Sequence, residues 1–171
     1  ATGAALAALI LTFGPMSGAH FNPVVSLVDA SQGGLRRSEA VVYVCAQCLG
    51  ACIGVGVANL MFGEPVYALS THVRSGPAQA LSEVVATFGL LAVILGCSRT
   101  RASMVPFAVA AYIVAAYWFT SSTSFANPAV TLARGFTNTF TGIRPQDIPM
   151  FWAAQAAGAT AAALVFRWLV P

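Results

Sequence analysis

The sequence predicts an all-α membrane protein: a bundle of apolar helices built as an inverted repeat, with two re-entrant half-helices set between the spans. Three observations lead there. Of the 171 residues 58% are hydrophobic and 8% are charged, whereas soluble domains carry roughly 25% charged residues. Runs of about 20 apolar residues, long enough to cross a ~30 Å hydrocarbon core, recur along the chain. Two Asn-Pro steps open apolar segments that are too short to cross, and they do so in matching surroundings.

The elements follow in order. Ala1–Gly14 is apolar but short, and reads as the end of a helix that begins upstream. Four full spans are expected at Ala40–Phe62, Ala80–Cys97, Ser103–Phe119 and Pro149–Val170. Small residues crowd them, Gly50, Gly54 and Gly56 in one and Ala153, Ala154, Ala157 and Gly158 in another, which predicts closely packed membrane helices. Between the spans lie His20–Ala30 and Phe125–Phe140, each containing Asn followed by Pro. Asn at the N-cap with Pro at the first helical position is a helix start. Nine to twelve helical residues from each Asn would rise only ~14–18 Å, half a membrane. Such segments are tolerated only where protein or a water-filled cavity surrounds them.

The chain repeats itself. Asn22-Pro23-Val24-Val25-Ser26-Leu27 matches Asn127-Pro128-Ala129-Val130-Thr131-Leu132 at an offset of 127 − 22 = 105, and Gln47-Cys48-Leu49-Gly50-Ala51 matches Gln155-Ala156-Ala157-Gly158-Ala159 at 155 − 47 = 108. Residues 1–171 are read as a single channel-like domain, 1–62 the remainder of a first repeat and 78–171 the second. The second copy has a helix pair before its half-helix, so one helix and most of another are expected upstream of Ala1. An odd number of spans per repeat inverts the copies, as in transport folds. Placing Arg36 and Arg37 inside also puts Arg99, Arg101 and Arg167 inside, against Arg74 and Arg144 outside, which satisfies the positive-inside bias.

Several functions are excluded. Eight arginines with no run longer than Arg36-Arg37 and no lysine are too sparse for a nucleic-acid surface. The four cysteines lie in apolar runs, which argues against a secreted disulfide framework. Cys45, Cys48 and Cys52 share a helix face as small packing residues, with thiol capture of a metal or arsenic the lesser reading. No nucleophile–base set, metal-ligand cluster or cofactor motif is present. Two half-helices entering from opposite faces would instead bring two N-termini, each worth about half a positive charge, to the midplane. There Asn22 and Asn127 offer side-chain NH₂ groups to a passing oxygen, along a path with otherwise apolar walls.

Ser17-Gly18-Ala19-His20-Phe21-Asn22-Pro23-Val24 and Ser124-Phe125-Ala126-Asn127-Pro128-Ala129 resemble the two Asn-Pro-Ala boxes of the aquaporin, or major intrinsic protein, family. The resemblance implies an aquaporin-like right-handed bundle of six spans and two half-helices, a homotetramer in the bilayer with one pore per subunit. It also implies pore-midplane residues Asn22, Pro23, Val24, Asn127, Pro128 and Ala129. Glu83, the acid deep in a span, would accept hydrogen bonds from the second box loop, and His20 would line the inner pore. The family's spacing places the outer filter at Thr2, Ala115, Ser124 and Val130.

Most water-conducting members have arginine after the second box, where this chain has Val130. Arg134 lies one turn farther along, and side chains lean towards the helix N-terminus, so it could reach back. Four small or medium filter residues imply a wide pore of aquaglyceroporin type, passing water, glycerol-like polyols and neutral metalloid hydroxides such as arsenite. A multi-pass protein of a bacterial inner membrane is expected. The alternatives are a strict water channel narrowed by Arg134, an ion-coupled transporter using Glu83, and a structural protein with a closed pore.

Overall fold

A computed structural model describes residues 1–169. Seven α-helices run in the order α1 (Thr2–Ser17), α2 (Pro23–Ser31), α3 (Arg37–Met61), α4 (Pro77–Thr100), α5 (Val105–Phe119), α6 (Pro128–Arg134) and α7 (Ile148–Leu169). No strand occurs among the described residues. Helices α3, α4, α5 with its preceding turn, and α7 with its preceding turn are long and apolar enough to cross a membrane. Val170, the expected end of the last span, lies outside the described residues.

Helix starts follow local chemistry. α3 begins three residues before the expected Ala40 because the Glu39 carboxylate reaches back to cap the first turn, accepting from Arg36 N–H at 3.1 Å and from its guanidinium at 2.6 Å. Pro77 opens α4 at its first position. Ser103 falls in a 3₁₀ turn over Ala102–Met104, and α5 starts at Val105 with Pro106 in its first turn, where no N–H is needed. The two half-helices begin at Pro23 and Pro128, each capped by its Asn.

The second half-helix is shorter than expected, seven residues against nine to twelve. The carbonyls of Gly135 and Phe136 are drawn away to the α3–α4 loop, accepting from Ser70 N at 3.0 Å and Ala68 N at 3.0 Å. That loop competes with helix extension and wins.

Glycines set the closest approaches. A Cβ on Gly158 of α7 would overlap the Val84 carbonyl of α4 and stand 3.0 Å from Phe88 N. On Gly3 of α1 it would overlap the Val114 side chain of α5. Gly50 and Gly54 behave otherwise: nothing lies within 4 Å, so they sit on an open face of α3 and not in a helix contact. The core runs through Ala86, Leu90 and Leu91 of α4, Val109 and Ile113 of α5, and Ala159 and Ala162 of α7. Trp118 and Trp168 are exposed, as interfacial anchors are.

Candidate pore

The two box loops are near-copies in backbone. Gly18, Ala19 and Phe21 have φ of 72°, 48° and 49°; Thr123, Ser124 and Ala126, each 105 residues on, have 60°, 48° and 47°. Side chains other than glycine rarely adopt these angles, at a cost of ~1–3 kcal/mol each, so the surroundings must hold them. Ser17 Oγ accepts from Ala19 N at 3.3 Å, and Ser122 Oγ from Ser124 N at 3.2 Å. Asn22 Oδ1 accepts from Val24 N at 3.1 Å, while Asn127 Oδ1 accepts from Ala129 N at 3.0 Å and Val130 N at 3.3 Å.

The loops then bind each other crosswise. Asn22 Nδ2 donates to the Ala126 carbonyl at 2.7 Å, and Asn127 Nδ2 donates to the Phe21 carbonyl at 2.8 Å. Each NH₂ carries two hydrogens, so one remains for a solute. Behind the boxes the duplication persists: Gln47 Nε2 donates to Ser26 Oγ at 2.9 Å, and Gln155 Nε2 to Thr131 Oγ1 at 2.8 Å.

Glu83 is fully buried and holds the second loop. Its Oε1 accepts from Ser122 Oγ at 2.6 Å and Phe125 N at 2.8 Å, and its Oε2 from Ala126 N at 2.8 Å and Gln155 Nε2 at 2.7 Å. Four donors occupy the carboxylate, and Glu83 does not line the cavity described next.

A cavity of about 530 Å³ passes the crossed loops. One end is lined by Asp29, Gln32, Ser98 and Arg99, the middle by Asn22 and Asn127, and the other end by Tyr117, Ser124, Phe125, Val130 and Arg134. Leu6 and Ile10 of α1, Leu91 and Ile94 of α4, and Val105, Val109 and Ile113 of α5 make the wall apolar between these polar points. At the Arg99 end His20 Nδ1 stands 3.1 Å from the Ser26 hydroxyl and Nε2 3.9 Å from Asp29 Oδ2.

Family comparison agrees with this architecture. Residues 1–120 match the sequence pattern of the family described as Major intrinsic protein. The chain belongs to the major intrinsic protein family. It is 56% identical to Aquaglyceroporin AqpS of Rhizobium meliloti (strain 1021), over 99% of this chain and 73% of that protein. It is 38% identical to Aquaporin NIP1-1 of Zea mays over 55% of this chain and 34% of the relative. With Aquaporin NIP3-1 of Arabidopsis thaliana the identity is 32%, over 76% of this chain and 45% of the relative. The family match ends before the second box; the AqpS alignment spans nearly the whole chain. This major intrinsic protein is a multi-pass membrane protein of a channel family, not an enzyme.

Of the residues expected at its pore, Thr2, His20, Asn22, Ser124, Asn127, Val130 and Arg134 line the cavity. Pro23, Val24, Pro128 and Ala129 do not. Val24, 5% exposed, packs in the core, so its extra bulk relative to alanine faces helices and not the lumen; Val25 takes the wall position. Ala115 is a further correction. It is exposed and off the wall, and Tyr117 stands there instead. Val105, Val109, Ile113 and Tyr117 form one i, i+4 stripe, and two residues rotate a helix by about 200°.

Three contributors escaped the sequence reading. Gln155 showed only as a mark of duplication. Phe125 showed only as part of a box. Arg74 showed only as an outside charge, yet it is 7% exposed and its guanidinium bonds the Gly142 carbonyl at 2.8 Å, Ser122 at 3.1 Å and Phe140 at 3.0 Å. Nothing in the aperiodic loop around it signals that reach. The cysteines are free, and no three His, Cys, Asp or Glu residues are grouped for a metal among the described residues.

Proposed function

We propose that the complete protein is a passive pore for water and small neutral polar solutes, glycerol-like polyols first and neutral metalloid hydroxides of similar size and hydroxyl display second. One observation carries the reading: a cavity of about 530 Å³ has apolar walls with spaced polar groups at His20, Asn22, Asn127 and Ser124, and Val130 after the second box. Conduction needs weak, sequential contacts, which such spacing provides. The relative called an aquaglyceroporin supports the same solute class. Glu83, with every donor in place, serves as the second loop's acceptor and not as a proton relay. A homotetramer in a bacterial plasma membrane is the setting this reading takes.

The test is stopped-flow light scattering on proteoliposomes of the complete protein. Glycerol gradients should give shrinkage followed by fast re-swelling, and Val130→Arg should abolish the re-swelling by at least about tenfold while water flow continues. A second reading, a strict water channel, is favoured by Arg134 and Tyr117 at the outer end of the cavity. Fast water flow without glycerol entry in the unmodified protein would establish that reading and end the first.

A further inference from the structure

We propose that Arg134 and Arg74, both held against the Phe125 ring, supply the fixed positive charge that keeps cations out of this pore. They act in place of the arginine that Val130 leaves absent. The inference rests on the channel reading above and assigns its charge selectivity to two residues outside the expected filter.

The geometry is specific. The Arg134 guanidinium carbon lies 4.2 Å from the Phe125 ring centroid and that of Arg74 lies 4.9 Å from the same centroid. Phe125 and Arg134 both line the outer end of the cavity. A phenyl ring attracts a cation through its face, so Phe125 offsets part of the repulsion between two like charges held close together. Phe151, edge-on at 5.1 Å, fixes the ring in turn. Arg74 is anchored by the carbonyls of Ser122, Phe140 and Gly142, so its charge cannot swing away to solvent.

Neither guanidinium is held in an ion pair, and the single carboxylate whose field reaches both, Glu83, leaves a net positive charge. Among the described residues no carboxylate pairs with the side chain of Arg74 or Arg134. The nearby acids are otherwise engaged, Asp147 with Arg144 at 2.9 Å and with Arg74 backbone N–H at 2.8 Å, and Glu83 with its four donors. Arginines buried only to fill space are normally matched with acids, because an uncompensated buried charge is costly. Two unmatched guanidiniums beside a conduit therefore point to the conduit's traffic. In a passage with apolar walls their field is less screened than in bulk water, and a permeating cation meets it. A neutral solute meets only hydrogen-bond donors. Arginine keeps its charge throughout the accessible range, so this barrier does not change with pH, unlike one set by His20.

The experiment compares acetamide with its near-isosteric cation acetamidinium, as entry into proteoliposomes of the complete protein followed by light scattering. Unmodified protein should admit acetamide and hold acetamidinium at the rate of empty vesicles, equally at about pH 6 and about pH 8. Arg134→Gln should raise the acetamidinium-to-acetamide flux ratio at least about tenfold, and Arg74→Gln should raise it as well. Arg134→Lys, which keeps the charge, should hold the ratio low; acetamide entry into each variant's vesicles reports that it is folded. A ratio unmoved in both Gln variants while acetamide still enters would overturn the proposal, as would acetamidinium entry through the unmodified protein. Unmodified protein that admits no acetamide would sink the channel reading and this inference together, a failure distinct from a conducting pore whose ratio stays fixed.

Discussion

Glu83 is the residue on which the second box loop depends. It offers two oxygens to four donors in a site without exposure, and it shares the hold on the left-handed backbone at Ser124 and Ala126 with Ser122 Oγ and Asn22 Nδ2. Glu83→Gln swaps one oxygen for an NH₂ group, so two donors face a donor. At ~1–3 kcal/mol for each buried unsatisfied group, the variant should lose about 2–6 kcal/mol. Thermal melting of the detergent-solubilised complete protein should show a clear fall, and an unchanged midpoint would mean the loop is held by other contacts. As the only acid deep in a span Glu83 was conspicuous in the sequence. Gln155, which shares its load, was not, because a glutamine in an apolar helix advertises no partner.

At the scale of the element, helix starts were legible and helix contacts were only partly so. Asn-Pro steps set the beginnings of α2 and α6 because capping is local chemistry. The end of α6 depended on the distant Ala68 and Ser70 and was not legible. Glycine shows the same division. Gly158 and Gly54 read alike as small residues in membrane helices, yet the first touches the backbone of α4 and the second touches nothing. Gly158→Ala should therefore cost about 1–3 kcal/mol, since backbone atoms cannot step aside. Gly54→Ala should gain up to about 1 kcal/mol from helix propensity if its face stays open. Melting curves of the two variants test the contrast, and equal shifts would refute the α4–α7 contact as the cause.

At the scale of the molecule the duplication seen as offsets of 105 and 108 returns as paired φ angles, crossed asparagine bonds and paired Gln–hydroxyl bonds. Inversion puts Arg99 with the C-terminal end of α7, where its guanidinium meets the Phe166 carbonyl at 3.1 Å, and gathers Arg74 with Arg144 at the opposite end. The expected orientation can be checked in intact cells carrying the complete protein with its native cysteines replaced. A cysteine at Ser75 should react with a membrane-impermeant maleimide, and one at Ser38 should react only after permeabilisation. The reverse pattern would invert the topology.

Composition, span length, capping and internal repetition are properties of the chain taken a few residues at a time, and they determined the membrane class, the half-helices and the two asparagines at their junction. Which side chains face the lumen was decided only by tertiary structure. A helix's rotation about its axis is set by what packs against it, so Tyr117 and not Ala115 reached the wall, and Val24 went to the core. Arg74 lies in a loop with no period to read, and only the folded loop carries its charge to within 4.9 Å of the Phe125 ring centroid at the mouth of the cavity.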